Sequence, residues 1–144
     1  MTPEQVAYIQ RTFAMLVPIQ EKAGLLFYNR LFEIAPSVRP LFKDDVSEQA
    51  KKLMQVLAIA AKGLSHPDTL VPVVQSLGAR HVAYGVKDEH YGPVAEALLW
   101  TLEQGLQEAF TPQVKEAWIA AYTLLSTIMK EAADQEAAKA IRAH

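Results

Sequence analysis

The sequence predicts an all-α protein built as one domain. Three observations carry this. Apolar residues recur at three- and four-residue spacing along most of the chain, no segment alternates strictly as a strand would, and the eight prolines sit almost entirely between the periodic stretches. A chain of 144 residues fits a single domain over 1–144. At that size roughly 70% of the unfolded surface is buried, enough for a real core.

The elements follow in order. "TPEQ" places Thr2 as a helix cap, Pro3 in the first turn and Gln5 three residues after the cap. Val6, Ile9, Phe13, Leu16 and Val17 then follow at helical spacing. Pro18 opens a second helix, with Leu25, Leu26, Tyr28, Leu31, Phe32 and Ala35 as its main apolar positions. "PSVRPLF" reads as a short helical corner between two prolines. Asp45 and Glu48 form a cap-and-box pair for a third long helix, about 47–64. "SHPD" breaks it, and a fourth helix runs over about 68–82. Gly85 and Asp88 punctuate the chain, with Asp88 as the cap of a fifth helix over about 89–110. Thr111 and Pro112 repeat the Thr-Pro start, and a last helix runs to about 140.

Composition narrows the function classes. The residues are 51% hydrophobic and 21% charged, a globular profile slightly rich in apolar residues. Such an excess is expected when part of the interior wraps a large apolar ligand. A formal charge of −2 argues against a general nucleic-acid binder. The absence of cysteine excludes disulfides, thiolate zinc sites and iron–sulfur clusters. "MTPEQVAYIQ" does not read as a signal peptide. The longest apolar run, "VLAIAA" at 56–61, is far too short to span a bilayer. The cytoplasm is the expected compartment.

The four histidines are not equivalent. His66 lies in a turn before proline and His144 is the last residue, and both read as solvated. His90 falls in the first turn after Asp88, exposed or hydrogen-bonded to a neighbour. His81 follows an apolar stripe of Leu70, Val73, Val74 and Leu77, which points it inward. On this helix alone, the plainer reading is a buried histidine satisfied by a backbone carbonyl. A lone inward histidine cannot hold a bare metal, which needs three or four protein ligands. It can hold a haem iron, because the porphyrin supplies four nitrogens.

The stretches "GLLFYNRLFEIAPSVRPLF", "SEQAKKLMQVL", "LGARHVAYGVKDEHYGPVAEALL" and "AWIAAY", in this order and spacing, resemble the globin family. The likeness covers nearly the whole chain and is closest to bacterial single-domain globins and the globin domain of flavohaemoglobins. It implies helices A to H around a haem pocket, with a short C helix and an irregular CD/D segment. It implies haem b as cofactor and His81 as the proximal iron ligand. Phe42 matches the phenylalanine that stacks on the porphyrin, Tyr28 the distal tyrosine, and Gln49 the distal position on the E helix. Leu53 matches the apolar residue beneath the bound gas, and Lys52 the basic residue beside a haem propionate. Val56 and Leu57 continue the distal wall; Leu77, Val86, Tyr91 and Val94 form the proximal one. Gly24 and Ala50 match the small pair where two helices cross closely.

The residues support that placement on physical grounds. Gln49 and Leu53 are four apart, hence on one helix face. One is polar and one apolar, as a small-ligand pocket requires. The Tyr28 hydroxyl and the Gln49 amide can each donate a hydrogen bond to dioxygen, worth about 1 kcal/mol net. Trp100 and Trp118 read as packing residues.

Functionally, the resemblance implies reversible binding of dioxygen, with nitric oxide and carbon monoxide as further ligands. Nitric oxide dioxygenation is implied if a reductase serves it. The chain ends at His144, so the expectation is an external reductase in place of the flavin and nicotinamide domains of flavohaemoglobins. Sulfide or peroxide chemistry at ferric haem and gas sensing are the alternatives, with a cofactor-free helical interaction protein as a remote one. In flavohaemoglobins the proximal side resembles a His–Tyr–Glu network. Here His81 and Tyr91 match, whereas the glutamate falls at Ala133. Glu131 is nearby but turned away by helical phase, and Glu136 is one turn along.

Overall fold

The computed structural model describes residues 1–42 and 45–142; His144 lies outside them. Among the described residues there are six α-helices and no strand. Helix α1 spans Pro3–Leu16. Its capping box forms as the sequence predicts: the Gln5 N–H donates to Thr2 Oγ1 at 3.1 Å and the Thr2 N–H donates to Gln5 Oε1 at 3.0 Å. Pro18 does not open the second helix. It sits in a 3₁₀ turn, Val17–Ile19, and α2 begins after it, spanning Gln20–Ile34. The corner Pro36–Leu41 is likewise 3₁₀.

Helix α3 spans Val46–Gly63 and is capped by Asp45, whose Oδ1 accepts from the Ser47 N–H at 3.2 Å. Glu48 departs from the expected box and lies 3.6 Å from Lys51 instead. Helix α4 spans Pro67–Ala83. Helix α5 spans Tyr91–Leu106, shorter than the periodicity predicts, because 3₁₀ turns at Asp88–His90 and Gln107–Ala109 take up its ends. Asp88 is not its cap; the His90 ring Nδ1 accepts the Lys87 N–H at 2.9 Å. Helix α6 spans Pro112–Arg142, and Thr111 Oγ1 accepts the Val114 N–H at its start.

Helix α2 packs on α3 and α5, while α4 lies along α6 and α1 crosses α6. The central layer buries Ile9, Leu31, Leu102, Val114 and Ala117 almost completely. Trp118 is buried, and its indole N–H donates to Thr12 Oγ1 at 3.0 Å; the Thr12 hydroxyl in turn donates to the Tyr8 carbonyl at 2.7 Å. The Trp118 indole and the Thr12 hydroxyl are thereby satisfied. Trp100 is half-buried, with the Arg30 guanidinium 5.2 Å over its ring.

Contacts between α3 and α4 are few. Helix α3 packs mainly on α2, and α4 mainly on α6. Two close helix crossings fix these pairs. A Cβ on Gly24 would lie 2.7 Å from the Ala50 Cβ, so α2 and α3 meet at the predicted small pair. A Cβ on Gly78 would collide with the Met129 carbonyl oxygen, a backbone atom that no rotamer change can move. Gly78→Ala should therefore lift α4 from α6 and destabilise the protein by about 1–3 kcal/mol, read by chemical denaturation. Unchanged stability would mean that the α4–α6 contact is looser than the structure has it.

Helix α5 ends at Gln107, whose φ of 51° and ψ of −117° put a non-glycine residue in left-handed backbone space. Gln107→Gly should relieve that strain, and the net gain should be about 1 kcal/mol after the glycine's entropy is counted. A loss of stability on thermal unfolding would contradict this.

Candidate functional site

His81 lies in the last turn of α4. Its Nδ1 is 2.7 Å from the Leu77 carbonyl oxygen. A carbonyl only accepts, so Nδ1 carries the proton and Nε2 keeps its lone pair. The ring is half-buried. Burial lowers its pKa and the Arg80 charge lowers it further, against a smaller opposing effect of the Leu77 hydrogen bond. The imidazole is thus neutral near pH 7, one nitrogen anchored and the other ready to bind a metal. The buried-histidine reading and the ligand reading describe one geometry.

The turn after α4 explains what lies beside His81. Gly85 has a φ of +83°, and its N–H donates to the Val82 carbonyl at 3.1 Å. The Val86 N–H donates to the His81 carbonyl, also at 3.1 Å. This paired closure is a Schellman motif, which needs the left-handed residue that glycine supplies. It folds Val86, half-buried, back toward His81. The expected apolar stripe is corrected at one position. Leu70 and Val74 are buried and Leu77 half-buried, but Val73 is 47% exposed.

On the same side, Tyr91 is buried and Val94 half-buried. The Tyr122 hydroxyl donates to the Tyr91 carbonyl at 2.6 Å, and the Lys130 ammonium lies 5.1 Å over the Tyr91 ring. The Tyr91 hydroxyl is itself buried without a hydrogen-bond partner among the described residues. Neither Glu131 nor Glu136 reaches inward: both are exposed, and Ala133 is half-buried between them. The hydrogen bond of the imidazole goes to the Leu77 carbonyl, not to a carboxylate.

Tyr28 is buried on α2, edge-on to Phe27 at 5.0 Å and to Phe42 at 5.2 Å. Phe42 is half-buried against Phe32 at 5.7 Å, and its carbonyl accepts from Arg39 Nη1 at 3.1 Å. Gln49, Leu53 and Leu57 follow at successive turns of α3, all half-buried. Lys52 is exposed. Val56 is 36% exposed. Behind Leu53 and Leu57 a narrow apolar void reaches Phe27, Met54 and Trp118. A groove of about 650 Å³ lies elsewhere, at Val17, Ile19, Leu25 and Leu26 on the corner between α1 and α2.

Burial pushes the Tyr28 phenol up to about 12 from its ordinary 10.0. The phenol stays protonated, and so a donor, throughout the neutral range. A raised phenol pKa contributes stability that is present below pH 10.0 and is lost as pH climbs toward about 12. Burial also raises Tyr91 and Tyr122, so an alkaline ultraviolet titration should show several late-ionising tyrosines, with one fewer in Tyr28→Phe. Ionisation of all tyrosines at the same pH in both proteins would refute this burial.

These residues fit a flat apolar macrocycle. Leu53, Leu57, Phe42 and Val94 pack on the core yet stop half-buried, and Leu77 on α4 and Val86 in the turn after it are half-buried too. Among the described residues no group of three or more His, Asp or Glu stands close enough to hold a metal ion. A single neutral imidazole between apolar walls is the donor set that a macrocycle with its own nitrogens needs. The spacing argument gave Tyr122 and Lys130 no part in the proximal side, because their contacts span two helices. It also gave no role to Tyr84, one turn after His81, whose ring centroid is 5.5 Å from the imidazole.

Comparison with known proteins places this geometry. The Globin family model matches residues 25–129. A flavohemoprotein of Bordetella parapertussis is 32% identical over 132 residues, covering 90% of this chain and 33% of that protein. A flavohemoprotein of Vibrio cholerae is 30% identical over 135 residues, again covering 33% of its length. The chain thus spans about a third of these relatives. The anaerobic nitrite reductase HBII of Casuarina glauca is 32% identical over 144 residues, and the match covers 90% of both chains. The crystal structure of a hexacoordinated heme protein from an anhydrobiotic tardigrade superposes with a TM-score of 0.84, covering 93% of this chain and 96% of that one at 16% identity. The helical order, the family match over most of the chain and the relatives aligned along nine-tenths of it lead to one conclusion: the chain belongs to the globin family, and its general function is that of a haem globin.

Proposed function

We propose that this globin holds haem b through His81 and binds dioxygen reversibly beside Tyr28 and Gln49. The observation that carries the reading is the His81 hydrogen bond: its Nδ1–H on the Leu77 carbonyl fixes the tautomer whose Nε2 lone pair is free. Haem, when bound, supplies the iron that takes a diatomic gas and changes oxidation state. The chain's residues do the rest. Phe42, Leu53 and Leu57 on one side and Leu77, Val86, Tyr91 and Val94 on the other exclude water. Lys52 stands where it can meet a propionate, and Val56 closes the rim. Tyr28, held protonated by burial, and the Gln49 amide offer hydrogen bonds to a polar ligand.

Nitric oxide dioxygenation belongs to this reading, with electrons from an external reductase. Peroxide chemistry is disfavoured, because a backbone carbonyl leaves the imidazole less basic than a carboxylate would. The cytoplasm is the proposed compartment; among the described residues no helix is long and apolar enough to cross a membrane.

The test is an oxygen titration of the reduced, haem-loaded protein, followed by nitric oxide consumption with and without a flavoprotein reductase. Reversible, saturable spectral change supports oxygen binding, and sustained consumption only with the reductase supports the dioxygenase. Immediate oxidation with no reversible phase would overturn the first. Failure of turnover with every reductase would overturn the second alone.

A further inference from the structure

We infer that the groove at the corner between α1 and α2 seats a second copy of this chain, in a two-fold dimer. Met15 is 49% exposed, Val17 47% and Ile19 37%. Nowhere else among the described residues do three exposed large apolar side chains fall within five residues. Single exposed apolar residues need no explanation, whereas a contiguous strip marks a contact surface. Leu25 and Leu26, half-buried in the second turn of α2, continue it into the groove of about 650 Å³. The strip is held in place. Pro18 fixes the turn, and a Cβ on Gly105 would lie 2.7 Å from Leu16 Cδ2 and 3.4 Å from Ile19 Cδ1, so the corner rests on the backbone of α5. A fixed surface loses little entropy on association.

Charge selects the occupant. Glu21 and Lys22 line the groove, both are exposed, and neither forms an ion pair with another described residue. They are neighbours in sequence, so they do not face each other, and no opposite charge stands three or four residues from either. A two-fold axis sets Glu21 of each copy against Lys22 of the other, two pairs at once. Gln20 and Asn29, exposed at the same groove, each carry a donor and an acceptor, so each amide can match its own copy. A strongly acidic or strongly basic partner would be attracted by one charge and repelled by the other. A small ligand needs polar groups converging in a buried pocket, and all four polar side chains of this groove are exposed. The surface is complementary to itself.

The measurement is sedimentation equilibrium of the haem-loaded protein from about 1 µM to about 1 mM, which spans the affinities of small specific interfaces. The parent should show a monomer–dimer equilibrium in that range. Val17→Asp, which puts an unpaired charge into the contact, should weaken the dimer by about tenfold or more. Lys22→Glu and Glu21→Lys should each weaken self-association, because each sets like charges face to face in both pairs. An equimolar mixture of these two variants should recover the dimer as a heterodimer, since each presents the charge that the other lacks. The double exchange Glu21→Lys/Lys22→Glu should recover it as a homodimer. Every substituted side chain is exposed, so helix content and the haem spectrum should be unchanged. A parent that sediments as a monomer throughout the range would overturn the inference. So would a dimer indifferent to Val17→Asp, which would place the contact on another face. Weakened single charge variants with no recovery in the mixture would overturn the second copy as the occupant.

Discussion

His81→Gly should retain haem at least about tenfold more weakly than the parent, which corresponds to losing 1.4 kcal/mol or more of affinity. Truncation removes the imidazole and leaves a hole of its shape. It also leaves the Leu77 carbonyl, 2.7 Å from where Nδ1 stood, without its donor. Added imidazole should therefore restore much of the haem affinity, because it fills the hole and donates to that carbonyl with one nitrogen while the other keeps a lone pair for the iron. 1-Methylimidazole lacks the N–H and should rescue less well. The control is His90→Ala. Its ring only accepts the Lys87 N–H in the turn before α5, so the iron spectrum should hardly move. Normal haem content and an unchanged ferrous spectrum in His81→Gly would remove His81 as the ligand.

The second large effect is expected at the distal wall. Tyr28→Phe keeps the ring among Phe27, Phe32 and Phe42 and deletes only the hydroxyl, so packing should change little. Gln49→Leu removes the second donor and keeps the face apolar. Each should speed oxygen release by roughly fivefold, the equivalent of a hydrogen bond worth about 1 kcal/mol, and should hasten autoxidation. Carbon monoxide is less polar when bound, so its release should change much less; that contrast separates lost hydrogen bonding from general loosening. The two changes should be non-additive, since both donors address one small ligand. Oxygen release that is unaffected in both single variants and in the double variant would sink the distal assignment.

How much of this was legible in advance follows the range of each interaction. The Thr2–Gln5 box and the Thr111 cap are contacts three residues long, and such contacts can be read from the string. The inward phase of His81 was legible for the same reason: the apolar spacing of Leu70, Val74 and Leu77 is a property of one helix. The small pair Gly24 and Ala50 came from resemblance, and the close crossing then appears as steric fact.

The misreadings have local causes. Helical periodicity continues through a 3₁₀ turn, so α5 looked longer than it is, and Pro18 looked like a start rather than a corner. A capping box needs the glutamate to turn back, and Glu48 found Lys51 instead. Val73 has the right spacing but is exposed, because burial depends on what packs opposite.

The sequence by itself determined the helical class, the order of the elements and one inward histidine, since all three rest on local spacing. Only the tertiary structure decided what completes the proximal side. The carboxylate question turned on where α6 passes α4, a contact some fifty residues apart in the chain that periodicity cannot encode. With Glu131 and Glu136 both exposed, the Leu77 carbonyl holds the imidazole. The Tyr122 hydroxyl on the Tyr91 carbonyl and the Trp118 indole on Thr12 belong to the same kind, 31 and 106 residues apart. Such bonds exist only once packing has brought the helices together, because burial is what makes each donor seek its one available acceptor.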